Sequence, residues 1–464
     1  MTAYLPGPAI HYAAPMVTSH HSPDFTSYEV SPEQLKSEED QLIVANPYTD
    51  LVIQTLEKLN TGVTLAAPPE SSEELGLSLL RLEGPLTAEF LERIKRWFPE
   101  LSDLVPEDKV GVLISSIKAA IGWYSGDWSP TVGRNRLVGH LTATDGRVNS
   151  DEDPEPVDGK PPFPPLESEV QSVGGGLGRG ASVGIADTAL WPHAWFQYAD
   201  IVQDGPYEHP APLGEQSEEN PFRTAHSTFV TGLVLAQAPA AKIRVAGVLN
   251  ADGVGNSWQV ANEIVRLGKT GINILNLSFS CYSGDAEPPL ALAAAIDRLD
   301  PEIVVVAGAG NYGAKVDFVE SFPGGRLVNL SIAPAWPAAL DDVVAVGSTA
   351  GRTAKRADFS PNAAWVDILA PGEPVISTFV DGLFDRAPAA DPSSGAVRST
   401  SFARWSGTSF STAIVTGAIA AGMSTGRTAR ESWREIRDHG LRPGTGLTHV
   451  LGLDRVRPFV LANR

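Results

Sequence analysis

After Ala181 the chain repeats one pattern that few folds can accommodate: short runs apolar on both faces, separated by amphipathic helical segments. The runs are Ser182-Val183-Gly184-Ile185-Ala186, Ile243 to Leu249, Ile272 to Phe279, Ile303 to Ala307 and Val343 to Val346. A strand facing water on one side would alternate polar and apolar residues, whereas these have no polar face. Trp258 to Leu267 and Leu290 to Leu299 carry helical spacing between them. Residues 181–464 are therefore expected to form an α/β doubly wound domain, a parallel sheet covered by helices on both sides. In such sheets functional groups gather at the carboxyl ends of the strands.

The first 180 residues read differently. Residues 1–40 are rich in Pro, Ser, His and acids without periodicity, which predicts a flexible arm. Residues 41–145 predict a smaller α+β domain. Leu42 to Ala45 is strand-like, Tyr48 to Leu59 helix-like, Leu75 to Leu82 strand-like and Leu86 to Phe98 helix-like. An apolar stretch, Val110 to Trp123, and a last strand, Arg136 to Thr142, complete an order compatible with a ferredoxin-like β-α-β-β-α-β domain. Residues 146–180 hold an acidic run, Asp151 to Glu155, a Pro-rich run, Pro161 to Pro165, and Gly174 to Gly176. That composition reads as an exposed linker, a domain boundary and a site open to cleavage.

Charge is unevenly placed. Residues 1–172 hold 27 acids and 12 bases, most of a formal net charge of -20. An acidic surface repels phosphate backbones, so nucleic acid is not an expected partner. Cys281 is the single cysteine, which excludes an intrachain disulfide and a cysteine-rich metal site. No basic cluster followed by an apolar run opens the sequence, and no apolar run reaches ~20 residues. The expectation is a cytoplasmic protein that does not span a membrane.

Four residues stand where strands end or helices begin. Asp187 closes the first run, His226 precedes the apolar segment Ser227 to Leu235, Asn311 follows the run Ile303 to Ala307, and Ser409 precedes Ser411 to Ala421. Hydrolysis of an amide by a serine requires a base for the hydroxyl proton, a carboxylate to orient that base and donors for an oxyanion. These residues supply one candidate for each role. Singly, each reads equally well as a helix cap or turn residue.

The flanking residues resemble the subtilisin family of serine proteases (subtilases) from Ala181 to Thr425. Val183-Gly184-Ile185-Ala186-Asp187-Thr188 is similar to the family's Asp motif, and His226-Ser227-Thr228-Phe229-Val230-Thr231-Gly232 to its His motif. Val304 to Asn311 is similar to the strand ending in the oxyanion Asn, and Ser406-Gly407-Thr408-Ser409-Phe410-Ser411-Thr412-Ala413 to the Ser motif. Val248 to Gly255 and Asp367 to Gly372 match further segments. The resemblance, to an intracellular-type bacterial member with an N-terminal extension, implies a serine endopeptidase acting through an acyl-enzyme. Ser409 would be the nucleophile, His226 the base, Asp187 its orienting carboxylate and Asn311 an oxyanion donor. It implies that Gly253, Val254 and Gly255 on one side and Ser278, Phe279 and Ser280 on the other bind an extended peptide.

Three residues depart from the family pattern: Ala189 and Ser227 stand where glycine is usual, and Ala413 where proline is usual. Phe279 and Ser280 replace a smaller pair, so a bulkier wall is expected beside the peptide. Cys281, next in sequence, reads as a packed small residue. No cofactor is implied for the chemistry, and the family's calcium loops are not recognisable. The expected partners are a peptide or protein substrate and the chain's own N-terminal domain, either as an inhibitory propeptide or as a permanent module. A catalytically inactive, peptide-binding relative is the reading from another class.

Overall fold

The runs that pattern as buried strands assemble into one parallel sheet in the computed structural model, which describes residues 37–103, 106, 108–140, 154–157, 162–170, 176–204, 224–313, 319–322, 326–384, 397–440 and 448–461. Of the expected arm at residues 1–40, residues 1–36 lie outside the described residues, as do the parts of the expected linker at 146–153, 158–161 and 171–175, while residues 37–40 begin a strand rather than continue an arm.

The N-terminal elements are β1 (Ser37–Ala45), α1 (Thr49–Lys58), β2 (Thr64–Leu65), β3 (Glu70–Ser72), β4 (Leu77–Glu83), α2 (Ala88–Trp97), α3 (Lys109–Ser125) and β5 (Val132–His140). Their antiparallel sheet runs β5-β1-β4-β2, with β3 beside β4. The ferredoxin-like arrangement is thus present, with two differences from the sequence reading. Val110 to Trp123 is a helix, α3, and the last strand spans 132–140 rather than 136–142, residues 141 and 142 being outside the described set. The apolar stretch has no single polar face because α3 is buried on two sides. Val110, Leu113, Ile117 and Ile121 pack on Leu42, Val44 and Leu80, while Val112 packs on Phe90 and Ile94 of α2. Each such side chain contributes about 1.5–3 kcal/mol. Asp108 caps α3 by accepting from the Gly111 N–H at 3.0 Å and is itself held by Arg134 of β5 at 2.7 Å.

The remaining elements are β6 (Glu155–Pro156), α4 (Leu166–Val170), β7 (Ser182–Asp187), β8 (Asp200–Asp204), α5 (His226–Gln237), β9 (Lys242–Gly247), β10 (Val254–Asn256), α6 (Ser257–Gly268), β11 (Ile274–Leu277), β12 (Phe279–Ser280), α7 (Leu290–Asp297) and β13 (Val304–Gly308). Then come β14 (Val319–Phe322), β15 (Arg326–Asn329), β16 (Val343–Ala350), β17 (Ile368–Glu373), β18 (Val375–Phe384), β19 (Val397–Trp405), α8 (Thr408–Met423), α9 (Ala429–His439) and β20 (His449–Val450). The large sheet has the order β20-β17-β16-β13-β11-β7-β9-β8, and every pairing in it is parallel. One core under the sheet joins α5 and α8, and the other joins α6 and α7. β8 and β9, the next two strands in the chain, lie on one side of β7 and β11 and later strands on the other, so the strand order reverses at β7. A crevice at its carboxyl end follows from that reversal.

The segment expected to be an exposed linker is only partly so. Phe163 and Leu166 are 4% and 2% exposed, and Phe163 belongs to the core with Phe229 and Phe402. Aromatic and aliphatic side chains scattered among prolines carry no periodicity, so their burial had no signature in sequence. β6 pairs antiparallel with β19 in a small sheet of order β18-β19-β6, tying this segment to the strand that leads into α8.

The two parts share a core: Ile43, Leu75, Leu77, Leu79 and Val138 of the N-terminal sheet pack with Trp258, Val265 and Ala291 of α6 and α7. Asn135 of β5, fully buried, accepts from the Ser257 hydroxyl and the Trp258 N–H at 2.9 Å each, and donates to Gln41 at 2.8 Å. Asn135→Ala orphans these groups at about 1–3 kcal/mol each. The expected outcome is a lower urea midpoint for the full chain.

Candidate active site

Asp187 is the last residue of β7 and is completely buried. Its carboxylate accepts from His226 Nδ1, which lies 2.9 Å from both oxygens, and from the Thr188 N–H at 2.7 Å. An ionised carboxylate only accepts, so Nδ1 carries a proton towards it, and Nε2 has its lone pair free whenever the imidazole is neutral. Burial pushes the Asp187 carboxyl up, but the charge of His226 and hydrogen bonds from His140 and His226 outweigh it. The group is held well below the usual carboxylate range.

His226 opens α5 and is 1% exposed. Aromatic rings hold it in place: Phe410 lies 5.5 Å away, and Trp405 stands edge-on at 5.8 Å. Ser227, which stands where glycine is usual, donates its N–H to Thr188 Oγ1 at 3.2 Å. Ala189 is not among the residues with positive φ, so alanine is accommodated there without that strain. Ala413 is buried within α8 and continues the helix.

Ser409 stands in the first turn of α8, where backbone N–H groups have no intrahelical acceptor and the helix dipole favours negative charge. Its hydroxyl donates to the Ser278 carbonyl at 3.2 Å, and among the described residues no hydrogen bond joins it to His226. Asn311 follows Gly310, whose φ of +98 and close approach to Tyr282, 2.3 Å from a Cβ built there, require glycine. Asn311 Oδ1 accepts from the Thr408 N–H and Thr408 Oγ1–H at 3.0 Å each. With its oxygen so engaged, the amide nitrogen is the end left to face Gly407 and the turn that carries Ser409, 3.5 Å from the Cβ position of Gly407.

Gly253 to Gly255 and Ser278 to Ser280 flank one strand, and that strand is the chain's own β5. Val254, Gly255 and Asn256 pair antiparallel with Gly139, Val138 and Leu137, while Phe279 and Ser280 pair with His140 and Gly139. The His140 N–H donates to the Gly253 carbonyl at 3.0 Å. Phe279 is fully buried in the core shared with Val138. Cys281 is also fully buried, and burial, partly offset by Arg136, pushes its thiol up to about 12, consistent with a packed rather than reactive residue.

Sequence reasoning missed His140, Thr408 and Asn276. His140 was legible only as a strand residue, yet its ring stacks on His226 with centroids 3.9 Å apart and its Nε2 lies 3.3 Å from Asp187 Oδ1. Asn276 accepts from Ser278 Oγ at 2.9 Å and donates to Thr416 at 3.0 Å, bracing the segment beneath Ser409. Among the described residues His140, Asp187 and His226 are the one His, Cys, Asp or Glu group close enough to share a cation, with ligand atoms within 4.8 Å. The rings stack at 26°, so their nitrogens line up along the carboxylate instead of converging on one centre. No helix among the described residues is long and apolar enough to cross a membrane.

A doubly wound parallel sheet with an acid at the carboxyl end of a central strand, an imidazole bonded to it from the start of one helix and a hydroxyl in the first turn of another is the layout of a subtilisin-like protein. The chain belongs to the Subtilase family of serine peptidases, whose model matches residues 178–443. Subtilisin BL of Lederbergia lenta is 31% identical over 211 residues, 44% of this chain and 67% of that protein. M-protease of Shouchella clausii is 29% identical over 281 residues, 58% of this chain and 60% of that protein. Among solved structures, fervidolysin from Fervidobacterium pennivorans, a keratinolytic enzyme related to subtilisin, has a TM-score of 0.55 and 17% identity. The match covers 90% of this chain and 61% of fervidolysin and bears on the fold.

Proposed function

We propose that this protein is a serine endopeptidase whose N-terminal domain occupies its own substrate cleft. The observation that carries this reading is the buried Asp187–His226 pair, with the Phe410 ring next to Ser409 lying 5.5 Å from the imidazole, and a strand of the chain itself already seated between β10 and β12. His226 Nε2 takes the Ser409 hydroxyl proton as Oγ attacks the carbonyl carbon. Asp187 keeps the opposite nitrogen protonated and stabilises the imidazolium that forms. The tetrahedral oxyanion is received by the Asn311 amide and the Ser409 N–H. His226 then returns the proton to the leaving amine, and water hydrolyses the acyl-enzyme by the reverse steps.

The strand β5 runs antiparallel between β10 and β12, as an extended substrate would. It reaches the catalytic imidazole at His140, and the described chain next runs along β19, whose last residue Trp405 lies four residues before Ser409. We read residues 37–140 as an inhibitory prodomain presenting a peptide bond between His140 and Pro154 for cleavage. The chain's single cysteine, buried and unreactive, fits a reducing, cytoplasmic setting.

A fluorophosphonate probe tests the chemistry. It is expected to label Ser409 once β5 is displaced or cut, and absence of labelling in the processed protein would sink the enzyme reading. Asn311→Ala is expected to lower kcat by ~10²–10³ with KM little changed, measured on a fluorogenic peptide. The second reading, an inactive peptide-binding relative, is favoured by one observation: Ser409 Oγ is turned to Ser278 rather than to His226. Intact mass separates the fates of the N-terminal domain. Loss of an N-terminal fragment by the wild type but not by Ser409→Ala marks a prodomain, and an uncut chain that cleaves peptides marks a permanent module.

A further inference from the structure

The side chain of His140 occupies a slot shaped to its chemistry. Its ring is 2% exposed, and the His226 ring covers one face at 3.9 Å. A Cβ built on Gly253 would lie 2.3 Å from His140 Nδ1 and 2.7 and 2.8 Å from Cε1 and Cγ, directly over the ring plane. Gly253 therefore forms the other wall, and no residue with a side chain can replace it while the ring is present. Its φ of +72 suits glycine for the same turn. At the far edge, His140 Nε2–H meets Asp187 Oδ1 at 3.3 Å, on a carboxylate that is completely buried.

Two flat walls and a buried anionic acceptor select a small planar ring with an N–H at its tip. Phenylalanine is flat but brings no donor to Asp187, and alanine leaves the slot empty. The neighbouring positions are less demanding: Val138 is buried against an apolar wall, and Gly139 crosses between β10 and β12.

We propose that this slot is a specificity site for histidine, and that the peptides this enzyme cleaves carry His at the strand position opposite Phe279, in the manner of Val138-Gly139-His140. The proposal rests on the peptidase reading for cleavage, but the slot itself is a binding site that can be measured without turnover. In full-length Ser409→Ala protein, His140→Ala and His140→Phe are each expected to speed amide hydrogen exchange over residues 136–140 at least tenfold. The His140 amide, donated to Gly253, is the direct reporter. Protection in His140→Phe equal to that of the parent would overturn the proposal, because the slot would then be merely apolar.

The companion measurement uses peptides of the chain's own residues 136–146, with His, Ala or Phe at the position of His140, and wild-type protein, followed by mass spectrometry. Cleavage of the His peptide with kcat/KM at least tenfold above both others is expected, and equal cleavage of all three would overturn it. If no peptide is cut and the phosphonate never labels Ser409, the peptidase reading fails. Hydrogen exchange then still decides whether the slot recognises imidazole.

Discussion

Ser409→Ala is expected to reduce kcat on peptide substrates by about 10⁶-fold and to leave the chain uncut, while its urea midpoint stays close to that of unprocessed wild type. The hydroxyl is the only atom of this residue that bonds to the carbonyl carbon. Its structural role is a single hydrogen bond to the Ser278 carbonyl. That bond is replaceable, since the loss of one hydrogen bond costs about 0.5–1.5 kcal/mol. Ser278, Asn276 and Thr416 keep their own contacts. Chemistry and folding should therefore separate cleanly at this position. Turnover by Ser409→Ala above a hundredth of wild type would place the nucleophile elsewhere.

The second large effect is expected at Asp187. Asp187→Asn should cost about 10⁴ in kcat, because an amide can present a donor where His226 requires an acceptor and so favours the wrong tautomer. The same substitution changes acid stability. The carboxyl is held below its ordinary value in the folded protein, against about 3.9 in the unfolded chain, so the unfolded state binds the proton first as pH falls. The stabilisation it provides is complete above the unfolded value and is lost as pH drops towards the folded one. In a Ser409→Ala background, urea midpoints taken from about pH 6 down to about pH 3 should fall more steeply with Asp187 than with Asn at this position. Parallel profiles would mean that the carboxyl is not held low.

How much of this was legible in the sequence depends on the distance over which each feature is decided. Asp187, His226, Asn311 and Ser409 could be picked out because each lies at or just past a strand end or at a helix start and because the residues around them resemble the subtilisin family's motifs, and both signals are written in a few consecutive residues. The helix α3 escaped because an element buried on two faces loses the polar stripe that reveals a helix. Phe163 and Leu166 escaped because burial of isolated side chains in a Pro-rich segment has no period at all.

The amino-acid sequence alone determined that residues 181–464 would form a doubly wound parallel sheet, and that Asp187 would close one of its strands while His226 and Ser409 stood in the first turns of apolar helices. Alternation, helix starts and strand ends are local properties set by side-chain polarity and backbone geometry. Only the tertiary structure decided that β5 lies between β10 and β12 and that His140 stacks on His226. The strand pairings join residues more than a hundred positions apart, and the two stacked rings come from separate elements on either side of β7. Strand edges are filled by main-chain hydrogen bonds that any sequence can make, so the choice of partner falls to the packing of Val138, Asn135 and the ring of His140 against surfaces that exist only once both parts have folded.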